Sequence, residues 1–250
     1  NFYHELDYRH RFPKAGRTLS LEVNHGAKPN DGIFYYDYFQ KIANSEDLRD
    51  SLDRSNNSNT KSNSLGFDVD YTEPLSSTMQ LLLSFENTHT MESLQNSIKD
   101  RPFGSESYYT ILRQDLSEQH ESKTITNTGS VGVNFTPSKE SSINFRLRYS
   151  ENSLQNSRLL PSQEFYEKNY RGLLPSMFAR INFDKSHSLR VFYRTSFNAP
   201  SIDQLSTYLN TSNPLRLTIG NPDLKSVYQH NLFARYSSTN LNAASSFFAM

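Results

Sequence analysis

The sequence predicts an all-β fold, an antiparallel transmembrane β-barrel, and three observations predict it. Apolar and polar residues alternate in repeated runs. In 177–197, Met177, Ala179, Ile181 and Phe183 oppose Arg180 and Asn182; after a polar turn, Leu189, Val191, Tyr193 and Phe197 oppose Arg190, Arg194 and Ser196. A period of two places the sets on opposite faces of a strand. This hairpin pattern occurs five times, with short turns alternating with long polar connections. Aromatic residues close the apolar runs at both ends: Phe12, Tyr71, Phe135, Phe183 and Tyr236 before the short turns, Phe85, Tyr149 and Phe197 at the far ends. Together these describe an apolar band between two aromatic girdles.

In chain order, Leu6, Tyr8 and Phe12 alternate with Glu5, Asp7, Arg9 and Arg11, turn at 13–16, and continue as Leu19, Leu21 and Val23. A further aromatic run, 33–39, precedes 44–64, which is rich in Asn, Ser, Asp and Lys and reads as a long polar loop. The second hairpin pairs Leu65, Phe67, Val69 and Tyr71 with Met79, Leu81, Leu83 and Phe85 across 73–77. Residues 89–122 read as a second long loop, with a short strand at 108–112. The third hairpin sets Val131, Val133 and Phe135 against Ile143, Phe145, Leu147 and Tyr149 around Pro137-Ser138-Lys139-Glu140. In the fourth, 177–197, the preceding Pro175 cannot donate a ladder hydrogen bond and predicts a bulge. The fifth runs through Leu232, Ala234 and Tyr236 to a turn at 237–240. About ten or eleven strands are readable.

The composition is compatible with this reading. Hydrophobic residues make up 35% of the 250, and the mean hydropathy is −0.72. In a barrel only alternate residues meet lipid, so the average stays polar. No run approaches the ~20 apolar residues of a membrane helix. Twenty-six basic residues balance 26 acidic ones, which leaves no electrostatic footprint for nucleic acid. With no cysteine there is no disulfide or thiolate metal site. Asn-Phe-Tyr-His-Glu at the start lacks a signal-peptide pattern. A soluble β-sandwich would also alternate. Charged residues at successive positions of one face, strands long enough for the ~9–11 residues of a tilted crossing, and the segregation of loop lengths favour the barrel.

Motifs for catalysis or cofactors do not emerge. His4-Glu5 has Tyr8 where a zinc-protease motif needs its second histidine, Asp68-Val69-Asp70 lacks the glycine of a calcium loop, and Ser130 is not on a nucleophile elbow. No cofactor or metal is expected. Alternation turns Arg146, Arg148, Arg180, Arg190, Arg194 and Arg235 toward the lumen. Such a wall could draw an anionic substrate. The favoured reading is ordinary lumen polarity, with the arginines paired to Glu5, Asp7, Asp68 and Asp70 or to carboxylates of a plug. Ligand contacts are expected instead in the long loop 202–224, at Tyr208, Leu209, Leu215 and Asn221.

Several segments resemble the outer-membrane β-barrel of TonB-dependent receptors, especially the outer membrane protein β-barrel family. They are Leu174-Pro175-Ser176, Tyr193-Arg194-Thr195-Ser196, Ala199-Pro200-Ser201-Ile202-Asp203-Gln204-Leu205 and Gly220-Asn221-Pro222-Asp223-Leu224-Lys225. The turns Phe12-Pro13-Lys14-Ala15-Gly16 and Tyr71-Thr72-Glu73-Pro74-Leu75 are similar to that family's as well. The resemblance implies a 22-stranded barrel with an N-terminal plug, of which residues 1–250 are one barrel segment. It implies location in the bacterial outer membrane, contact with outer-membrane lipid, and uptake driven by a TonB-type periplasmic coupler acting through the plug. A surface lipoprotein is a further candidate partner. No enzymatic activity is expected. A stand-alone ten-stranded barrel acting as enzyme or adhesin, and a soluble β-sandwich binding domain, are the alternatives.

Overall fold

The computed structural model describes residues 1–41, 49–102, 108–207, 210–213, 216–240 and 243–250. In chain order its strands are β1 (Phe2–Arg11), β2 (Thr18–Lys41), β3 (Arg49–Pro74), β4 (Met79–Asp100), β5 (Ile111–Leu112), β6 (Glu118–Ser138) and β7 (Ser141–Leu160). They continue as β8 (Glu164–Asn182), β9 (His187–Asn198), β10 (Asn210–Asn213), β11 (Arg216–Thr218), β12 (Val227–Asn240) and β13 (Ser245–Ala249). A one-turn helix, α1 (Ile202–Leu205), follows β9. Eleven strands form one antiparallel sheet in the order β1-β2-β3-β4-β6-β7-β8-β9-β12-β13, with the short β5 on β4. Strands β10 and β11 form a separate pair.

Directly paired residues share a face, so the register itself sorts the side chains. One row runs from Tyr8 through Leu21, Val69 and Phe85 to Gly129, Tyr149 and Leu173. The row nearer the turns includes Leu83, Val131, Leu147 and Pro175. Farther along the sheet, Ala179, Val191 and Ala234 continue the apolar surface. Its large residues are open to the surroundings: Leu6, Phe85, Phe145 and Leu173 are 71, 46, 48 and 55% exposed. Among the described residues few apolar side chains are buried, since no second sheet packs on this face. The soluble-sandwich alternative fails on this point.

The strands are longer than the sequence pattern suggests. β2, β3 and β4 have 24, 26 and 22 residues, about twice what a bilayer crossing requires. The aromatic run at 33–39 is not a separate strand; it lies on β2. Much of the expected polar loop 44–64 belongs to β3, and half of 89–122 belongs to β4 and β6. Composition misleads here because a ladder is held by backbone groups and needs no apolar face once it emerges into water. Cross-strand amide and hydroxyl contacts supplement it: the Asn87 amide donates to Asn127 at 2.7 Å and the Asn152 amide to Thr126 at 3.1 Å. The short strand expected at 108–112 is confined to β5.

Two further expectations change. Residues 237–240 continue β12, so the last turn falls at 241–244, of which 241 and 242 lie outside the described residues. Pro175 makes no bulge. It pairs in register with Leu147 of β7, and on its other side the ladder to β9 begins only at Ser176. A residue with no N–H ends that ladder. Above it β9 departs from β8 but remains paired to β12 up to Asn198. The Thr195 hydroxyl, fully buried, donates to the Pro175 carbonyl at 2.8 Å and marks the fork.

Neighbouring short turns are clasped together. Gly16 occupies the left-handed region at φ 83°, closing the first turn. The Glu73 carboxylate accepts from Lys14 Nζ at 2.7 Å, Arg17 Nε at 2.7 Å and Tyr71 Oη at 2.6 Å. The Arg17 contact, followed by those of Lys14 and Tyr71, holds the Glu73 carboxyl far below its ordinary 4.5. In the turn of the fourth hairpin, Asp184 accepts from the His187 ring and then from the backbone N–H groups of Ser186 and His187, which lowers its carboxyl also.

Two outcomes are expected. In the full-length protein Leu147→Arg and Val191→Arg each cost assembly about 2–4 kcal/mol if near the midplane, whereas Arg190→Leu is milder; heat-modifiable migration after refolding reports the difference. Equal tolerance on both faces would contradict the register. The second concerns acid. Because the folded pKa of Glu73 is depressed, its contribution is present above the ordinary carboxylate value and is lost as pH falls below it. Glu73→Gln should therefore flatten the acid limb of an unfolding-versus-pH series, and an unchanged limb would show the clasp to be inert.

Candidate functional site

The face opposite the apolar one is largely polar, with an acidic cluster toward one side. Glu5 and Asp7 of β1, Glu22 of β2, Asp68 and Asp70 of β3 and Glu86 of β4 share it through the pairs Asp7↔Glu22, Glu22↔Asp68 and Asp68↔Glu86. Glu5, Asp7 and Glu22 can bring carboxylate oxygens within 4.8 Å of one another. The centre carries Ser84, Thr128, Ser130 and Ser150. All six arginines singled out by alternation lie on this same face, at the other side, on β7, β8, β9 and β12.

Among the described residues these arginines do not pair with Glu5, Asp7, Asp68 or Asp70. Among the described residues none of the six forms an ion pair, and the acidic group stands strands away. Arg180, Arg190 and Arg235 are instead direct cross-strand neighbours on β8, β9 and β12. Farther from the turns, Arg146, Ser176 and Arg194 form another direct row, and Arg148 reaches toward β9 with Nη2 3.5 Å from the Thr195 carbonyl. Between the two rows lies one that sequence reading missed, Phe178, Phe192 and Phe233, directly paired and 42, 43 and 50% exposed. Its signal was available: each phenylalanine occupies a polar-phase position in an otherwise alternating run. A cleft of about 260 Å³ is lined by Asn144, Arg146, Arg148, Ser176, Phe178, Phe192 and Arg194, among others.

At the end away from the short turns the same face carries a buried polar network. Arg158, 2% exposed, lies 3.0 Å from Glu164 and 3.8 Å from Glu118, which also contacts His120 at 3.2 Å. Glu164 accepts from the Thr207 hydroxyl at 2.6 Å. Tyr166, pushed up to about 12 by burial, keeps its proton and donates to the Ile202 carbonyl at 3.3 Å. These contacts seat the segment after β9 over the polar face. Another cleft, of about 420 Å³, lies beneath it and includes Thr90, Glu92, Thr124, Asn152, Pro200 and Ser201. A second network ties the outer ends of β3 and β4 together: Asp100 contacts Arg54 and Arg113 at 2.8 Å each.

The helix α1 brings two sequence motifs together. Ser201 caps it, accepting from the Gln204 backbone while Gln204 Oε1 accepts from the Ser201 backbone at 2.9 Å. The N–H of Gly220 donates to Ser206 O at 2.8 Å and that of Asn221 to Gln204 O at 2.7 Å. A Cβ on Gly220 would stand 2.5–2.6 Å from three carbonyl oxygens, those of Asp203, Gln204 and Ser206. Asn221 thus braces α1, and its side chain accepts from Asp223 N at 2.9 Å. The other three loop candidates, Tyr208, Leu209 and Leu215, lie outside the described residues.

An apolar outward face, a charged inward one, and short turns at one end only are the marks of an outer-membrane barrel wall. Residues 10–249 match the outer membrane protein beta-barrel family. The chain belongs to that family. Its membership fixes the bacterial outer membrane as the location, makes the polar face the lumen wall, and places the short turns on the periplasmic side. Among solved structures, the fold is similar to the ferric yersiniabactin uptake receptor FyuA from Yersinia pestis, with a TM-score of 0.50 at 11% identity. The similarity covers 94% of this chain and 32% of that receptor, so the chain spans about a third of its length. No curated protein matches the chain.

In this family member Gly220→Ala should release α1. Amide exchange at Leu205 and Ser206 is expected to accelerate by about tenfold or more, which corresponds to only about 1.4 kcal/mol of local opening. Migration of the folded barrel should not change. Unaltered exchange would show that the carbonyl cage does not hold the helix.

Proposed function

We propose that the chain is one part of the wall of an outer-membrane uptake receptor, in which a plug fills the lumen and a TonB-type periplasmic protein supplies energy. The observation that carries this reading is the loop-seated lumen wall of a strand array whose similarity covers 94% of this chain but only 32% of the ferric yersiniabactin uptake receptor. The motifs that resemble TonB-dependent receptors, Ala199-Pro200-Ser201 through Leu205 and Gly220-Asn221-Pro222, support it independently, since they meet at α1. The role is transport and not catalysis. Its strongly polar inner wall is what a water-filled or plug-filled lumen requires.

The test is uptake in the native host. Deleting the gene should abolish accumulation of one class of nutrient, identified by comparing growth on single nutrient sources. A protonophore, and deletion of the TonB-type coupler, should each reproduce that loss while the receptor stays folded in the outer membrane. Accumulation that survives both would make the barrel a passive channel.

A further inference from the structure

We propose that the lumen cleft between β7, β8 and β9 is a binding site for a small aromatic carboxylate. Three guanidinium groups, Arg146, Arg148 and Arg194, border it, with the Ser176 hydroxyl between two of them in the same row. Phe178 and Phe192 supply its apolar side. Neighbouring strands stand about 4.8 Å apart and successive rows on one face about 7 Å apart. A carboxylate held by the arginine row therefore lays its ring over the phenylalanine row.

The arginines and phenylalanines of the cleft are left incomplete by the protein. Like charges grouped on adjacent strands repel, and among the described residues none of the three arginines forms an ion pair. The Arg148 Nε is buried and has no hydrogen-bond partner. The phenylalanines stand nearly half exposed on a wall where every neighbouring row is polar. An anion alone would satisfy the arginines and leave the rings uncovered; an apolar molecule would do the reverse. The second arginine row, Arg180, Arg190 and Arg235, adds positive potential from the turn side and draws anions to the same strip. The volume, about 260 Å³, lies just below the usual range of ligand cavities and suits a single-ring molecule better than a length of polypeptide. The proposal needs the polar face to be lumen and is independent of energy coupling, so loss of the uptake reading would leave it standing.

The experiment uses the full-length protein in detergent, with 4-fluorobenzoate as probe and its fluorine linewidth as readout, and fluoroacetate as the non-aromatic control. Saturable broadening by 4-fluorobenzoate, stronger than by fluoroacetate, is expected. Arg146→Gln, Arg148→Gln and Arg194→Gln should each weaken it about tenfold, the scale of one charged hydrogen bond. Phe178→Ser with Phe192→Ser should abolish the preference for the aromatic probe while weak carboxylate binding persists. Heat-modifiable migration verifies that each variant is folded. Broadening that survives the triple arginine substitution would overturn the site. So would its absence from the folded wild-type protein, the result expected if another part of the chain covers the cleft.

Discussion

Everything in this structure depends on one constraint: inside hydrocarbon a backbone N–H or C=O has no solvent to turn to. An unbroken antiparallel ladder satisfies those groups, and a strict register follows, since slipping one residue would exchange the lipid and lumen faces. The rows across β1 to β9 keep that register with few interruptions. A break that matters for the loops falls at Pro175. There the missing N–H ends the β8–β9 ladder, and the gap above it is where the chain after β9 turns back over the lumen wall.

That break links the scaffold to the features that bear on function. Below the fork, β7, β8, β9 and β12 lie edge to edge and bring their arginine and phenylalanine rows into contact distance. Above it, α1 is seated by Tyr166 and Thr207 and locked by the Gly220–Asn221 backbone. Rigid strands thus set the spacing of charged groups, and the loop is held by a few specific hydrogen bonds. The acidic side of the wall, on β1 to β4, gives the lumen a transverse charge gradient that neither set of residues would produce alone.

Much of this was legible beforehand. Alternation fixes the face of each residue by geometry alone, so the apolar set, the common polar face of the six arginines and four of the five short turns could be read without coordinates. Location also followed, because aromatic girdles and one-sided short turns have no use in water. The extent of the strands was not legible: Ser, Thr and Asn carry no apolar signature, yet their backbones extend β3 and β4 far beyond the bilayer. The fifth turn was placed too early for the same reason.

What the sequence by itself determined is therefore the face of each residue, since a strand's two-residue period needs no partner. What only the tertiary structure decided is who stands beside whom. Arg180, Arg190 and Arg235 become neighbours, and the arginines part from the carboxylates expected to neutralise them, through cross-strand register between segments far apart in the chain. The meeting of Ser201–Leu205 with Gly220–Asn221 is of the same kind. Such adjacency is a property of strand order and ladder offset, which the hydrogen-bonding of whole strands selects and no local pattern encodes.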